Sequence, residues 1–343
     1  MEKKMKAVVY VGKDTLEVQN VKAPVAGDGQ ILLKNHYASI CGSDIHILAG
    51  KHPRVVPPLI MGHEGSAEVA AIGASVKTDL KVGDRVVVEP LISCGKCYAC
   101  KTGLQHICHT LGLYGIDKPG LFAEYVAVDP DRVFKLPDSI SLDVAALIEP
   151  IAVALHSVRM SNMKVGDRVC VQGAGPIGIL VALMARMAGA SRVLISDMQE
   201  FRLNLAREYG LETIDMNKQN PIDEVKNATN GWGADVVFEV VGISATSMLS
   251  PDLCRVRGNI CAVSHPKEPL MMNMLRCNFK EIYITTVRVY EMFDFIRAIE
   301  IASSTDVNFS KMLSRPYSLD EASSAFDAAK KGNNVMKVLF KIS

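Results

Sequence analysis

The sequence predicts an α/β protein of two domains, one rich in short β-strands and the other built on a parallel sheet. Three observations predict this. The length of 343 residues suits two domains. The first half consists of short strand-like runs separated by Gly and Pro turns. From about Val165 onward, strand-like and helical runs alternate, which indicates βαβ units and therefore a parallel sheet.

The elements follow from these patterns in chain order. In the first half we expect strands at residues 5–10, 31–37, 65–72 and 85–89. In the alternating part we expect strands at residues 168–172, 192–197, 235–241 and 259–263. The helices between them are predicted at residues 176–188, 200–209 and 244–255. The mixed C-terminal pattern predicts helices at 293–303 and 319–330, then a last strand at 335–342.

One hexapeptide occurs twice. Lys-Val-Gly-Asp-Arg-Val stands at residues 81–86 and again at 164–169. A single recurrence is not the period of a repeat protein. We therefore interpret it as a Gly-Asp turn that leads into a strand, used once in each half.

Composition and charge restrict the class of protein. Apolar residues make up 49% of the chain, enough for ordinary globular cores, and the net charge of +1 offers no basic surplus for nucleic acid. No apolar run reaches the length of a membrane span. The charged N-terminal stretch, residues 1–6, leads directly into a strand, which argues against a signal peptide. We expect a cytoplasmic protein with neither a nucleic-acid nor a membrane partner.

Four of the nine cysteines lie within fifteen residues, at Cys94, Cys97, Cys100 and Cys108. The short spacings, with glycines between them, allow one loop to wrap an ion, and four thiolates form a closed tetrahedral zinc site. An iron–sulfur cluster or four unrelated cysteines are the alternatives. We interpret the loop as a structural zinc site.

A second set of possible ligands is scattered along the chain. Cys41 stands near the end of a predicted strand, His63 follows a Pro-rich loop, and Glu149 precedes the alternating half. Each residue alone is more often structural. Together they fit a catalytic zinc ion, which uses about three protein ligands and keeps one position open.

A glycine-rich motif joins the first strand of the alternating part to its helix. It reads Gly173-Ala174-Gly175-Pro176-Ile177-Gly178. Between a strand and a helix, such glycines allow the pyrophosphate of a dinucleotide to approach the helix N-terminus. Asp197 ends the next strand, where a carboxylate accepts hydrogen bonds from ribose hydroxyls and repels a 2′-phosphate. The motif therefore predicts NAD as cofactor.

With these motifs in order, the chain resembles the zinc-containing medium-chain alcohol dehydrogenases along essentially its whole length. Within that family it is similar to the sorbitol (L-iditol), butanediol and threonine dehydrogenase branch. The resemblance is carried by Cys-Gly-Ser-Asp at 41–44, Gly-His-Glu at 62–64, the four cysteines, Leu-Ile-Glu-Pro at 147–150 and the glycine motif.

The resemblance implies a GroES-like β-rich catalytic domain at residues 1–150, completed by residues 290–343. It implies a doubly wound Rossmann domain for NAD at residues 151–289. Relatives of this kind are homodimers or homotetramers, so a homo-oligomer is expected.

The resemblance also implies roles for individual residues. Cys41, His63 and Glu64 match ligands of the catalytic zinc. Glu149 matches a further acidic position that ligates the metal directly or through water, and Asp44 matches a residue that orients His63. The expected proton relay is Ser43 and His46. The expected cofactor contacts are Ile177 of the glycine motif and, outside the motif, Asp197, Arg202, Val263, Ser264, Val287 and Arg288.

Some positions depart from the family pattern. Ala67 stands where the family's glutamate motif usually has Gly, and Ile47 stands where polyol dehydrogenases often carry an aromatic residue. Tyr290 stands where threonine dehydrogenases carry Arg. Glu149 stands where they tend to have Asp. The substrate pocket therefore differs in part from each named branch.

The implied activity is a zinc-dependent, NAD-linked interconversion of a secondary alcohol and a ketone. Two zinc ions per chain are expected, with a small polyhydroxy substrate such as a polyol or sugar acid. Threonine 3-dehydrogenase-like or butanediol dehydrogenase-like activity is the alternative. A zinc-free quinone reductase would lack both ligand sets, and a non-catalytic scaffold or nucleotide sensor would have lost a ligand or the relay.

Overall fold

The chain divides into two units, seen in a computed structural model that describes residues 3–266 and 268–343. One unit comprises Met1–Glu149 together with Glu291–Ser343, and the other comprises Pro150–Tyr290. The first two residues of the charged N-terminal stretch lie outside the described residues. No helix in the described part is long and apolar enough to cross a membrane.

The strands are numbered along the chain. They are β1 (Lys4–Gly12), β2 (Thr15–Lys22), β3 (Ile31–Ser39), β4 (Leu59–Ile60), β5 (Glu64–Ile72), β6 (Arg85–Val88), β7 (Leu91–Ile92), β8 (Gly112–Leu113), β9 (Tyr125–Val128), β10 (Val133–Lys135), β11 (Arg168–Gln172), β12 (Arg192–Asp197), β13 (Glu212–Asp215), β14 (Ala234–Glu239), β15 (Cys254–Ala262), β16 (Tyr283–Thr286) and β17 (Leu339–Lys341).

The α-helices are numbered in the same way. They are α1 (Gly42–Leu48), α2 (Tyr98–Lys101), α3 (Leu142–Ala145), α4 (Ile148–Met160), α5 (Pro176–Met187), α6 (Glu200–Glu208), α7 (Pro221–Ala228), α8 (Ser244–Leu253), α9 (Met274–Lys280), α10 (Met292–Ser304) and α11 (Ala322–Lys331). Short 3₁₀ turns stand at Gln105–Ile107, Pro130–Arg132, Phe309–Met312 and Leu319–Glu321.

The first unit is built on an antiparallel sheet with strand order β10-β6-β5-β3-β17, and β9 also pairs with β3. The last strand of the chain, β17, pairs with β3 so that Leu339 lies opposite Ser39. In the same sheet Ser39 lies opposite Glu64, the first residue of β5. The C-terminal segment therefore completes the sheet on the other side of β3 from β5.

The second unit is a six-stranded parallel sheet in the order β13-β12-β11-β14-β15-β16. Counted within the unit, this is the doubly wound order 3-2-1-4-5-6, which reverses direction between β11 and β14. All six residues of β14 are buried, as expected for a strand in the interior of a parallel sheet. The predicted alternation of strands and helices is confirmed.

The repeated hexapeptide forms the same turn twice. Gly83 and Gly166 both have φ of 91°, and both turns lead into a strand at the following Arg. In the first turn Asp84 Oδ2 accepts the N–H of Lys81 at 2.9 Å, and in the second Asp167 Oδ2 accepts the N–H of Lys164 at 2.8 Å. The interpretation as a Gly-Asp turn is confirmed.

Several predicted boundaries are wrong. The strand expected at 235–241 ends at Glu239, and the strand expected at 259–263 begins at Cys254. The helix expected at residues 244–255 ends at Leu253, because Cys254 pairs with Ala234 and already belongs to β15. The last strand, expected at 335–342, covers only Leu339–Lys341. Lys337 instead forms an isolated bridge with Leu313, and its side chain is buried.

Candidate active site and metal centres

Three potential metal ligands meet at one end of the antiparallel sheet. Cys41 is the N-terminal cap of α1, His63 precedes β5, and Glu64 is the first residue of β5. One ligand atom from each lies within 4.8 Å of the others. His63 and Glu64 are buried, whereas Cys41 is half-buried. The family resemblance implied these three as ligands of one site, and the fold brings them together.

The turn before His63 requires glycine. Gly62 has φ of 94°, and a Cβ atom at this position would lie 2.5 Å from the ring of Phe122. No other residue type fits both the backbone conformation and the space. Gly62 thus lets the chain pass over the Phe122 ring and present His63 and Glu64 in succession.

The orientation of His63 is set on both sides of its ring. Nδ1 lies 3.7 Å from Oδ1 of the fully buried Asp44, and Nε2 lies 3.3 Å from Oγ of Ser43. The other oxygen of Asp44 accepts the N–H of Cys41 at 2.8 Å. A carboxylate behind one imidazole nitrogen is the usual support for a ring whose other nitrogen ligates a metal. Nε2 is therefore the nitrogen that faces the ligand cluster.

Burial and charge act in opposite directions on His63. Burial lowers the pKa of the imidazole, but the nearby Asp44 and Cys41 raise it, and the net pKa lies above the ordinary value. An environment that favours positive charge on this ring also suits a bound cation.

Glu64 has a partner that the sequence analysis did not identify. Lys337 Nζ lies 2.5 Å from Oε2 of Glu64, and Ser39 Oγ donates a hydrogen bond to the same oxygen. Burial raises the pKa of Glu64, but Lys337 and His63 outweigh it and hold the pKa below its usual value. The one available signal was a single Lys inside the apolar run Val-Met-Lys-Val-Leu-Phe at 335–340.

Glu149 is not one of the three close ligands. It is the second residue of α4 and is buried, but within the described residues the close group comprises only Cys41, His63 and Glu64. Its charge nevertheless reaches the site. Burial lowers the pKa of Lys337, but the negative charges of Glu64, Cys41 and Glu149 outweigh burial and raise the pKa above its ordinary value.

The four clustered cysteines form a second centre. Their Sγ atoms lie within 4.8 Å of one another, with Cys97 at 3.5 Å from Cys100 and at 3.8 Å from Cys108, and Cys94 at 4.0 Å from Cys100. All four are free thiols. Backbone N–H donors of Lys96 and Cys97 lower the pKa of Cys94 to about 6.

Both clusters fit zinc. A tetrahedron with Zn–S bonds of about 2.3 Å has edges of about 3.8 Å, and the sulfur separations of 3.5 to 4.0 Å lie around this value. In the mixed cluster, Asp44 Oδ1 and His63 Nδ1 lie 3.7 Å apart and are buried without a hydrogen bond. The electrostatic attraction between this carboxylate and the imidazole becomes stronger when a cation is bound to the ring. The donor set of thiolate, imidazole and carboxylate suits an open zinc site.

The glycine motif forms the expected turn between β11 and α5. A Cβ atom on Gly178 would lie 1.8 Å from the carbonyl oxygen of Gly173, so only glycine allows the close packing there. Pro176 occupies the first turn of α5, whose cap is Gly175. The helix N-terminus thus opens onto a cradle that fits a pyrophosphate.

Asp197 is tied to this turn. Its Oδ2 accepts the N–H of Ala174 at 2.8 Å, and its Oδ1 accepts the N–H groups of Met198 and Gln199. Arg202 Nη1 lies 3.6 Å from Oδ2, and Arg202 Nε is buried without a hydrogen bond. The turn therefore has a fixed carboxylate beside it, together with a buried donor that has no protein partner.

The remaining predicted residues differ in exposure. Ser43, His46, Ile177, Val263, Ser264 and Val287 are half-buried, and Arg288 is exposed. Tyr290 is fully buried, so it does not face solvent. Sequence reasoning missed Glu239, a buried acid at the end of β14. Its only signal was an acidic residue closing an apolar strand.

Comparison with known proteins agrees with this architecture. The family described as "Alcohol dehydrogenase GroES-like domain" matches residues 27–138, and "Zinc-binding dehydrogenase" matches residues 176–304. The chain is 37% identical over 328 residues to 2-dehydro-3-deoxy-L-galactonate 5-dehydrogenase of Pseudoalteromonas atlantica, covering 94% of each chain.

Two further proteins show the same relationship. L-Threonine 3-dehydrogenase of Escherichia coli is 33% identical over 325 residues, covering 93% of this chain and 94% of the relative. The crystal structure of 2R,3R-butanediol dehydrogenase from Bacillus subtilis superimposes with a TM-score of 0.92 at 29% identity, covering 99% and 100% of the two chains. With its GroES-like and Rossmann folds and its two cysteine-containing metal centres, this chain belongs to the zinc-containing medium-chain alcohol dehydrogenase family, whose members are zinc- and nicotinamide-dependent oxidoreductases.

Proposed function

We propose that this chain interconverts a secondary alcohol and a ketone on a small polyhydroxy substrate, such as a polyol or a sugar acid, with NAD. The observation that carries the proposal is the acidic character of the mixed-ligand cluster. Glu64 is one of its three close members, and the charge of Glu149 acts on the same buried Lys337.

In this proposal one unit binds the catalytic zinc and the other binds NAD. Residues 1–150 with 290–343 form the catalytic zinc domain, and residues 151–289 form the NAD domain. Cys41, His63 and Glu64 hold the catalytic zinc, with Glu149 as a further acidic ligand, direct or through water. The thiolates of Cys94, Cys97, Cys100 and Cys108 hold the structural zinc.

When bound, zinc supplies Lewis-acid polarisation of the alcohol oxygen, and NAD+ supplies the acceptor for hydride. Asp44 keeps the His63 ring aimed at the metal. Ser43, whose Oγ lies 3.3 Å from His63 Nε2, accepts the proton of the substrate hydroxyl. His46, in the last turn of α1, passes that proton to solvent, because an imidazole can both accept and donate a proton.

The cofactor lies along the parallel sheet in this proposal. Gly173, Gly175, Pro176, Ile177 and Gly178 receive the pyrophosphate at the start of α5. Asp197 and Arg202 flank the adenosine ribose. The segments that cover the nicotinamide are Val263 with Ser264, and Val287 with Arg288.

The ligand set favours a substrate with more than one hydroxyl. Two carboxylates near one metal offer more hydrogen-bond acceptors than a site of two cysteines and one histidine. A site built to pair hydroxyls discriminates strongly against analogues that lack them, because its own polar groups are then unpaired. The relative from Pseudoalteromonas atlantica is named for a sugar-acid substrate, which supports this class.

The decisive experiment is a substrate panel with purified protein and NAD+, followed by the absorbance of NADH. The panel contains polyols, sugar acids, inositols, vicinal diols and threonine, with propan-2-ol and ethanol as monohydroxy controls. We expect the highest kcat/KM on a polyhydroxy compound. Better turnover of propan-2-ol or ethanol would reject the substrate class.

The second candidate is threonine or butanediol oxidation. It is favoured by the 33% identity to L-threonine 3-dehydrogenase and by the TM-score of 0.92 to 2R,3R-butanediol dehydrogenase. The same panel separates the candidates, since threonine carries an amino group and a carboxylate, whereas butanediol carries only two hydroxyls.

We also propose that the protein is a homodimer or homotetramer. β16 is an edge strand of the parallel sheet, and its Tyr283 is 63% exposed. On the preceding helix α9, Leu275 and Phe279 are exposed as well. An apolar edge of this kind favours pairing with a second copy. Light scattering of wild type and Ile284→Lys tests this, and a monomeric wild type would contradict it.

A cytoplasmic location is part of the proposal. All nine cysteines are free thiols, which suits a reducing compartment. Cell fractionation is the test.

A further inference from the structure

The carboxylate of Glu239 collects four hydrogen bonds at the end of β14. Its Oε1 accepts the N–H of Val241 at 3.0 Å, the N–H of Gly242 at 2.9 Å and the hydroxyl of Thr246 at 2.7 Å. Its Oε2 accepts the hydroxyl of Ser264 at 2.6 Å. The residue is only 2% exposed, so these donors replace water around the buried charge.

The donors on Oε1 hold a loop that packs on the glycine motif. A Cβ atom on Gly173 would lie 2.7 Å from Val241, and one on Gly178 would lie 3.2 Å from Val240. The side chains of Val240 and Val241 therefore lie directly against the pyrophosphate cradle. Any shift of this loop also shifts the wall of the cradle.

The donor on Oε2 belongs to a different segment. Ser264 follows β15, and the carbonyl oxygen of Glu239 also accepts the N–H of Val263 at 2.9 Å and of Ser264 at 3.1 Å. Gly242 has φ of 80° and approaches Ser264 so closely that a Cβ atom would lie 3.1 Å from it. One residue thus joins both segments through its side chain and its backbone.

The network continues to the strand that precedes the glycine motif. Ser250 donates to Oε1 of Gln172 at 2.6 Å, and Nε2 of Gln172 donates to the carbonyl of Thr246 at 3.1 Å. Gln172 and Ser250 are both buried. Buried networks with their partners satisfied rigidify the elements that they connect.

We propose that Glu239 is a positioning residue of the cofactor site, which sets Val263 and Ser264 relative to the glycine motif and so determines where the nicotinamide half of NAD binds. The inference rests on the proposed NAD function. Asp197 lies on β12, on the opposite side of β11 from β14. The adenosine half of the cofactor is therefore held by residues that Glu239 does not contact.

This separation gives a measurable signature. In Glu239→Gln the amide nitrogen cannot accept hydrogen bonds, so the donors on one carboxylate oxygen lose their partner. We expect the Kd for NADH, measured by titration calorimetry, to rise about ten-fold. The Kd for AMP, which lacks both the nicotinamide and the pyrophosphate, should change less than about two-fold. KM for NAD+ should rise more than kcat falls.

Two further variants complete the design. Thr246→Val removes a single donor and should raise the Kd for NADH about three-fold, which provides a test if Glu239→Gln does not fold. Thr229→Val is the control, because the hydroxyl of this buried threonine also donates a hydrogen bond, to the carbonyl of Val225 at 2.6 Å, but to neither segment. It should lower stability without changing the ratio of the two Kd values.

The outcomes are distinct. Equal weakening of NADH and AMP, or no change in either, would overturn the positioning role of Glu239. If wild type itself binds neither NADH nor AMP, the NAD function fails, and the inference fails with it.

Discussion

Lys337 Nζ lies 2.5 Å from Oε2 of Glu64, and both side chains are buried. The pair joins the C-terminal segment of the chain to the first residue of β5. It leaves Oε1 of Glu64 as the oxygen available to a metal, since Ser39 also donates to Oε2. The C-terminal segment therefore contributes a charge to the catalytic cluster as well as a strand to the sheet.

Lys337→Met should destabilise the zinc-free protein by about 3 kcal/mol, because it leaves a buried carboxylate without its cation. In zinc-loaded protein the loss should be smaller, since the metal also neutralises Glu64. Urea unfolding of both forms measures this. The double variant Glu64→Gln/Lys337→Met should recover most of the loss, and equal losses with and without zinc would contradict the coupling.

Metal analysis should give about two zinc ions per chain, with separable roles. His63→Ala and Cys41→Ser should keep a folded protein but reduce turnover about a thousand-fold or more. Cys97→Ser should instead lower the free energy of unfolding by at least about 3 kcal/mol, because the thiolate loop loses its closed site. Full activity with a single metal ion per chain would rule out the assignment.

Wild type should prefer NAD over NADP by at least about 100-fold in kcat/KM, since a 2′-phosphate beside Asp197 is a like-charge contact. Asp197→Asn is the matched variant, because it keeps an acceptor for the N–H of Ala174 and removes the charge. It should reduce the discrimination about ten-fold or more. Equal efficiency of wild type with both cofactors is the result that contradicts this prediction.

Asp235 should make the stability of the second unit sensitive to acid. Its carboxylate lies 2.5 Å from Nε of Arg255 and 3.1 Å from Nε of Arg168. Burial raises the pKa of Asp235, but the hydrogen bonds from Arg168 and Arg255 outweigh it and hold the pKa below its ordinary value of 3.8. Because the folded-state pKa is depressed, this contribution is present above about pH 4 and is lost as pH falls through the folded pKa.

The comparison of wild type with Asp235→Asn isolates that contribution. The variant should be less stable by about 2 kcal/mol at pH 6, and the difference should shrink below about pH 3.8. Any loss of zinc in acid affects both proteins and cancels in the difference. A difference that stays constant from pH 6 to pH 3 would show that Asp235 does not act through its charge.

Much of this molecule could be predicted from local sequence. The strands at 168–172 and 192–197 were placed to the residue, because apolar runs bounded by turn residues depend on short-range preferences. The same holds for the Gly-Asp turn at Gly83 and Gly166. The four-cysteine loop could be predicted for a similar reason, since its ligands lie close together in the chain.

Other features depended on residues far apart in the chain, and only the tertiary structure decided them. The pairing of Glu64 with Lys337 requires β17 to lie beside β3, and no local pattern specifies that contact. The end of α8 at Leu253 was set by the pairing of Cys254 with Ala234. The role of Glu239 as a junction cannot be predicted from local sequence, because it depends on β15 placing Ser264 beside its carboxylate. The sequence by itself determined which elements and motifs exist, because these follow from near neighbours, whereas the buried partners of charged groups were decided by the sheet order.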